Sequence, residues 1–89
     1  MTGRDFILKS RELVKDYTNE HMDKSDNYKI DLDDTYVVWY SKTLQNHKGL
    51  FSTNVTDGMY YEVTYNGNKN ELYFDAYKKF ENKCIKLGE

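Results

Sequence analysis

The chain has no proline and a single cysteine, and its 89 residues include two histidines and five glycines. Each scarcity excludes something. One cysteine, Cys84, rules out an internal disulfide and fits a reducing compartment. Two histidines, His21 and His47, leave little material for metal or nucleophilic chemistry. A Cys-His pair would need Cys84, on a predicted core stripe, to meet His47 on a loop; a buried, inert thiol is expected instead. No zinc spacing such as H-E-x-x-H, no P-loop and no G-x-G-x-x-G is present. Pairs such as Asp57 with Glu62 arise freely in so acidic a chain and carry no weight. No run reaches about 18 apolar residues, so no membrane-spanning helix is expected. The segment after Met1 is charged and amphipathic, unlike the apolar core of a signal peptide. The expectation is a cytoplasmic, non-enzymatic protein without cofactor or metal.

What is present is tyrosine. Aromatics make up 16% of the chain, nine of them tyrosine, beside 31% charged residues. Aromatic rings bury large areas and oppose disorder. Residues 1–89 therefore form one small domain with a tyrosine-heavy core, which a homodimer contact or another partner would complete. The net charge is −2, too little to gather nucleic acid through a global field. Charge is nonetheless uneven. Residues 23–34 hold five aspartates, and residues 78–86 hold Lys78, Lys79, Lys83 and Lys86.

A helix is predicted from Gly3 to His21. Thr2 and Asp5 have capping-box spacing, and Phe6, Ile7, Leu13, Val14 and Tyr17 form one stripe. The acidic segment 23–34 partly fits a calcium loop, with Asp23, Ser25, Asn27, Asp31 and Asp34 in ligand positions. Tyr28 replaces the turn glycine, and a strand follows instead of a helix, so it reads as a connector. Strands are predicted at 35–42, 48–54 and 59–65, with turns at Thr56-Asp57-Gly58 and Asn66-Gly67. Beyond residue 70 two periods compete. Leu72, Phe74 and Ala76 alternate as a strand does, whereas Tyr73, Tyr77, Phe80, Cys84 and Leu87 recur as a helix does. A strand at 71–75 feeding a helix at 76–87 reconciles them. The predicted class is α+β: an antiparallel meander of three to four strands with an N-terminal and a C-terminal helix on one face, in the order α-β-β-β-(β)-α.

Strand 35–42 is apolar on both faces. Strict alternation sends Val37 and Trp39 one way and Tyr36, Val38 and Tyr40 the other. One face then meets another molecule, or the strand is central. Next to it, Thr43, Gln45, Asn46 and His47 offer hydrogen bonds between Lys42 and Lys48. The candidate binding surface is Tyr36, Trp39, Tyr40, Lys42, Thr43, Gln45, Asn46, His47 and Lys48, toward a protein partner. A competing reading makes Lys42, Lys48, Lys78 and Lys79 a weak, salt-sensitive nucleic-acid site, since α-β-β-β-α is the order of double-stranded-RNA-binding domains. A small-ligand or nucleotide sponge is a third.

The runs YVVWYSKTLQNHKGLFST, DGMYYEVTYNG and DAYKKFEN resemble a family of small proteins encoded by bacteriophages and prophages of Gram-positive bacteria. The likeness spans about residues 34–82. It implies a phage accessory protein in the cytoplasm of an infected host, of the kind that inhibits or modulates host replication, transcription or defence by binding a host or phage protein. No site residue is carried over by it.

Overall fold

The computed structural model describes residues 1–22 and 28–88. Helix α1 spans Gly3–His21. Thr2 opens it as the spacing predicts: its hydroxyl accepts the Asp5 N–H at 3.0 Å, and the Asp5 carboxylate accepts the Thr2 N–H. The line that α1 buries is Phe6, Ser10, Val14 and Thr18, every fourth residue. Ile7 and Tyr17 pack on its flanks. Ser10 and Thr18 are small, which lets the helix axis lie close to the sheet. The Ser10 hydroxyl is buried with no partner among the described residues.

Four strands follow: β1 (Thr35–Thr43), β2 (Asn46–Thr53), β3 (Met59–Asn66) and β4 (Glu71–Lys78). They form one antiparallel sheet in the order β1-β2-β3-β4. Helix α1 covers one face, chiefly over β1 and β2. The core between them is Phe6, Val14, Phe51, Tyr61, Val63 and Tyr65. In β3 the predicted alternation holds, with Tyr61, Val63 and Tyr65 buried and Tyr60, Glu62 and Thr64 on the far side.

The architecture is thus α+β with a single α-helix among the described residues. The expected C-terminal helix at 76–87 is absent. Strand β4 runs to Lys78, and residues 79–88 carry no regular structure and are exposed. The reason lies in the pairing. Every residue from Glu71 to Lys78 has a partner on β3, so the alternation of Leu72, Phe74 and Ala76 prevails over the helical period. Cys84, expected to be buried, is exposed, and the likeness to the RNA-binding order goes with the helix.

Residues 30–35 are tied back to α1 by two side chains. The Arg11 guanidinium donates to the Thr35 hydroxyl at 2.9 Å and to the carbonyls of Leu32 and Thr35 at 3.0 and 3.3 Å. Asn19 brackets Ile30, accepting its N–H at 2.8 Å and donating to its carbonyl at 3.1 Å. Of the calcium-like pattern, Asp23, Ser25 and Asn27 lie outside the described residues. The Asp34 carboxylate accepts the Asp31 N–H at 2.9 Å and so closes a short 3-10 turn at Leu32–Asp34.

Tyr61 gives the fold a pH limit. Its ring is 1% exposed, and its hydroxyl lies 3.3 Å from the Thr18 hydroxyl. Burial pushes its pKa above the ordinary 10.0, an effect partly offset by the bond to Thr18. The neutral phenol is therefore favoured by folding. This stability is complete below pH 10.0 and is lost as pH rises through the folded value. Urea unfolding about one unit below and one unit above the ordinary value should show a loss that Tyr61→Phe reduces. An unchanged loss in the variant would put the alkaline limit elsewhere.

Candidate functional site

The face of the sheet opposite α1 has no covering element among the described residues. Its composition depends on an irregularity in β1. Val37 pairs with Phe51 and Trp39 with Leu50, so Val38 is the extra residue of a β-bulge. The bulge resets the alternation. Tyr36 and Trp39 share the open face, while Val37 and Tyr40 look toward α1. The predicted grouping of Val37 with Trp39, and of Tyr36 with Tyr40, is therefore corrected.

Cross-strand register assembles the open face in rows. Trp39 lies beside Leu50, then Glu62, then Asp75. Ser41 lies beside Lys48, Thr64 and Tyr73, and Tyr60 lies beside Tyr77. Tyr36, Trp39, Tyr73 and Tyr77 are 41–52% exposed. That is four large rings on one side of an 89-residue domain, three of them with hydroxyls able to donate and accept. Interleaved carboxylates make the face acidic. Lys48 is paired with Glu62 at 3.5 Å, and Lys79 stands beside Tyr36 and Tyr60 at the end of the face, so Asp75 and Glu71 leave an excess of one carboxylate. The Tyr73 hydroxyl donates to the Glu71 carboxylate; that bond, with the carboxylate's charge, holds the Tyr73 pKa above its ordinary value.

The predicted site residues are divided between the two sides. Tyr36, Trp39, Thr43 and Lys48 lie on the open face. Tyr40 and His47 do not. The Tyr40 hydroxyl donates to His47 Nδ1 at 2.6 Å, and His47 Nε2–H donates to the Met1 carbonyl at 3.2 Å. His47 is 2% exposed and stacks on Phe6 at 5.3 Å. It is a core residue with both ring nitrogens engaged.

The polar stretch Thr43–Lys48 is a hairpin with a two-residue turn, Leu44-Gln45, in which Leu44 takes φ 56°. Gln45 and Asn46 serve the neighbouring hairpin. The Gln45 side-chain amide donates to Asn68, and the Asn46 side chain accepts the Gly67 N–H at 2.9 Å. A Cβ at Gly67 would collide with the Gln45 carbonyl, so only glycine fits that approach. Lys42 is exposed on the α1 side, at the hairpin end. Lys78 pairs with Met59 and Lys48 with Thr64, so these two lysines lie on opposite faces of the sheet and about 17 Å apart along the strands at ~3.4 Å per residue. The four lysines of the nucleic-acid reading do not form one patch.

Sequence reasoning did not place Tyr73, Tyr77 and Asp75 on the face that carries Trp39. The signal was present in the alternation of β4, obscured by the helical period that overlaps it. Among the described residues, no group of three His, Cys, Asp or Glu side chains could hold a metal ion, and no helix is long and apolar enough to cross a membrane. A family model described as a family of unknown function, DUF6275, matches residues 7–87. No curated protein and no solved structure matches the chain.

Proposed function

The chain belongs to DUF6275, a family of unknown function, and from its own surface we propose that it is a non-enzymatic binding protein whose open sheet face docks a protein partner. The observation that carries this reading is the exposure of Tyr36 and Trp39 on β1 and of Tyr73 and Tyr77 on β4, which rim the same uncovered face at its two edges. Tyrosine and tryptophan dominate interface energies because they bury much area at little cost in side-chain entropy. Asp75, Glu71 and Glu62 among them select a partner with an apolar centre and a basic rim. The same carboxylates would repel phosphates, and Lys48 is neutralised by Glu62, which sets nucleic acid behind protein. Taken with the likeness to phage and prophage proteins, the partner class is a host or phage protein met in the bacterial cytoplasm, whose activity the bound chain modulates.

The test is capture of partners from bacterial lysate on the tagged chain, with and without nuclease, beside a Trp39→Ala, Tyr77→Ala variant. Both side chains are half exposed, so the variant should stay folded. The expected result is a stoichiometric protein that survives nuclease and is lost, by a factor of about 100 or more in affinity, in the variant. Recovery that vanishes with nuclease would replace this reading with nucleic acid. A partner held equally by the variant would move the contact off the open face.

A further inference from the structure

On the α1 side, the helix lies over β1 and β2 and leaves β4 thinly covered. It reaches β4 through Tyr17, whose ring is 5.5 Å from that of Phe74. Leu72, Phe74 and Met59 are half-buried there, and Ala76 is exposed. The flank of α1 that borders this strip carries Leu13, Asp16, Tyr17 and Glu20, spaced i, i+3, i+4 and i+7. Asp16 and Glu20 are exposed. The strip is thus an apolar trough whose helix wall is weakly acidic, carrying Glu20 and an Asp16 that pairs with Lys15 at 3.8 Å.

The chain also carries a segment that fits such a trough and is not in it. Phe80, Ile85 and Leu87 are 99%, 76% and 82% exposed. Wound as a helix, residues 80–87 put Phe80, Cys84 and Leu87 on one stripe, with Lys79, Lys83 and Lys86 side by side along its edge. Eight helical residues span about 12 Å. Leu72 to Ala76 spans about 14 Å of strand. Apolar stripe, basic edge and length all match the trough and its acidic wall. The segment also lies wholly within residues 7–87, the span the family model matches.

The segment cannot easily reach its own trough. Lys79 N–H bonds the Gly58 carbonyl at 2.6 Å, which carries the chain straight on past the end of β4. Lys78-Lys79-Phe80-Glu81 holds no Gly, Pro, Asn or Asp to make a reverse turn. Asn82 comes four residues beyond β4, about 13 Å past its end if extended. Docking on a neighbouring molecule requires no such turn.

We propose that residues 80–87 fold as an amphipathic helix in the β3–β4 trough of a second copy of this chain, beside its α1, in a reciprocal exchange. The exchange is isologous, so it closes at two copies and completes the second helix over each sheet. It uses the side of the sheet away from the aromatic face and does not rest on the proposed function.

Sedimentation velocity of the full chain over a broad concentration range tests it. The expected result is a reversible dimer in which Cys84, the only thiol, reacts with a maleimide at least tenfold more slowly than in the dilute monomer. Phe80→Ser with Leu87→Ser should raise the dimer dissociation constant about 100-fold or more with the fold unchanged, since both side chains are exposed in the single chain. Glu20→Lys should weaken association roughly two- to five-fold, and adding Lys83→Glu should restore it. A chain that stays monomeric throughout, or a dimer indifferent to the serine pair, would overturn the proposal. So would a monomer whose helical signal exceeds that of α1 alone, because the segment would then dock on its own sheet.

Discussion

His47→Ala is expected to lower the unfolding free energy by about 3 kcal/mol, against a total of roughly 5–13 kcal/mol for a domain of this size. The loss has two parts. Removing the ring opens a cavity where it stacks on Phe6 and borders Tyr40 and Tyr65. It also strips the half-buried Tyr40 hydroxyl of its acceptor, at about 1 kcal/mol, whereas the Met1 carbonyl, on an exposed residue, is left to water. His47→Phe separates the parts, because it refills most of the volume and restores neither bond. Its cost should fall between wild type and alanine. Urea denaturation at neutral pH reads all three. A His47→Ala chain as stable as wild type that lost its partner would instead make the histidine a surface contact.

Arg11→Ala is expected to cost about 2–3 kcal/mol, because one charged group there holds three acceptors on the segment leading into β1. The guanidinium fork spans a hydroxyl and two carbonyls at once. An ammonium is a point charge that cannot, so Arg11→Lys should recover less than half of the loss. Hydrogen exchange gives the sharper reading. Loss of the fork should first expose the amides of Asp34 and Asn54, whose bonds sit at the start of β1 and just past the end of β2, before those of β3. Uniform loss across the sheet would mean that Arg11 supports the whole domain and not this corner.

Much of the fold was legible because local chemistry and global packing agree. The Thr2–Asp5 cap, the Asn66-Gly67 turn and the alternation Met59, Tyr61, Val63, Tyr65 each state one structure. The rest was hidden for identifiable reasons. Leu44-Gln45 makes the β1–β2 turn without glycine or asparagine, so the hairpin carries no turn signal and reads as a polar loop. His47 reads as a surface group because its letter does not reveal that Tyr40 and Met1 engage both nitrogens. The bulge at Val38 leaves no mark in a run of β-branched and aromatic residues, yet it brings Tyr36 and Trp39 to one face. Ser10 and Thr18 do not read as core, because burial at those positions rewards small size over apolarity. Residues 76–87 support two periods. Pairing to β3 decides the first three, and nothing within the same chain decides the others.

The meander order has a kinetic consequence. Each strand pairs with its neighbour in sequence, so each hairpin closes across a turn of two to five residues. Short closures cost little chain entropy, and hairpins form in about 1–10 μs. The sheet can therefore grow one strand at a time without waiting for a distant segment. The slow event is the docking of α1, which must return across the acidic segment to lay Phe6 on Phe51. Until it does, both faces of the sheet are wet, and His47 has neither Phe6 nor Met1 beside it. The barrier should lie at that step, so Phe6→Leu should slow folding more than it speeds unfolding.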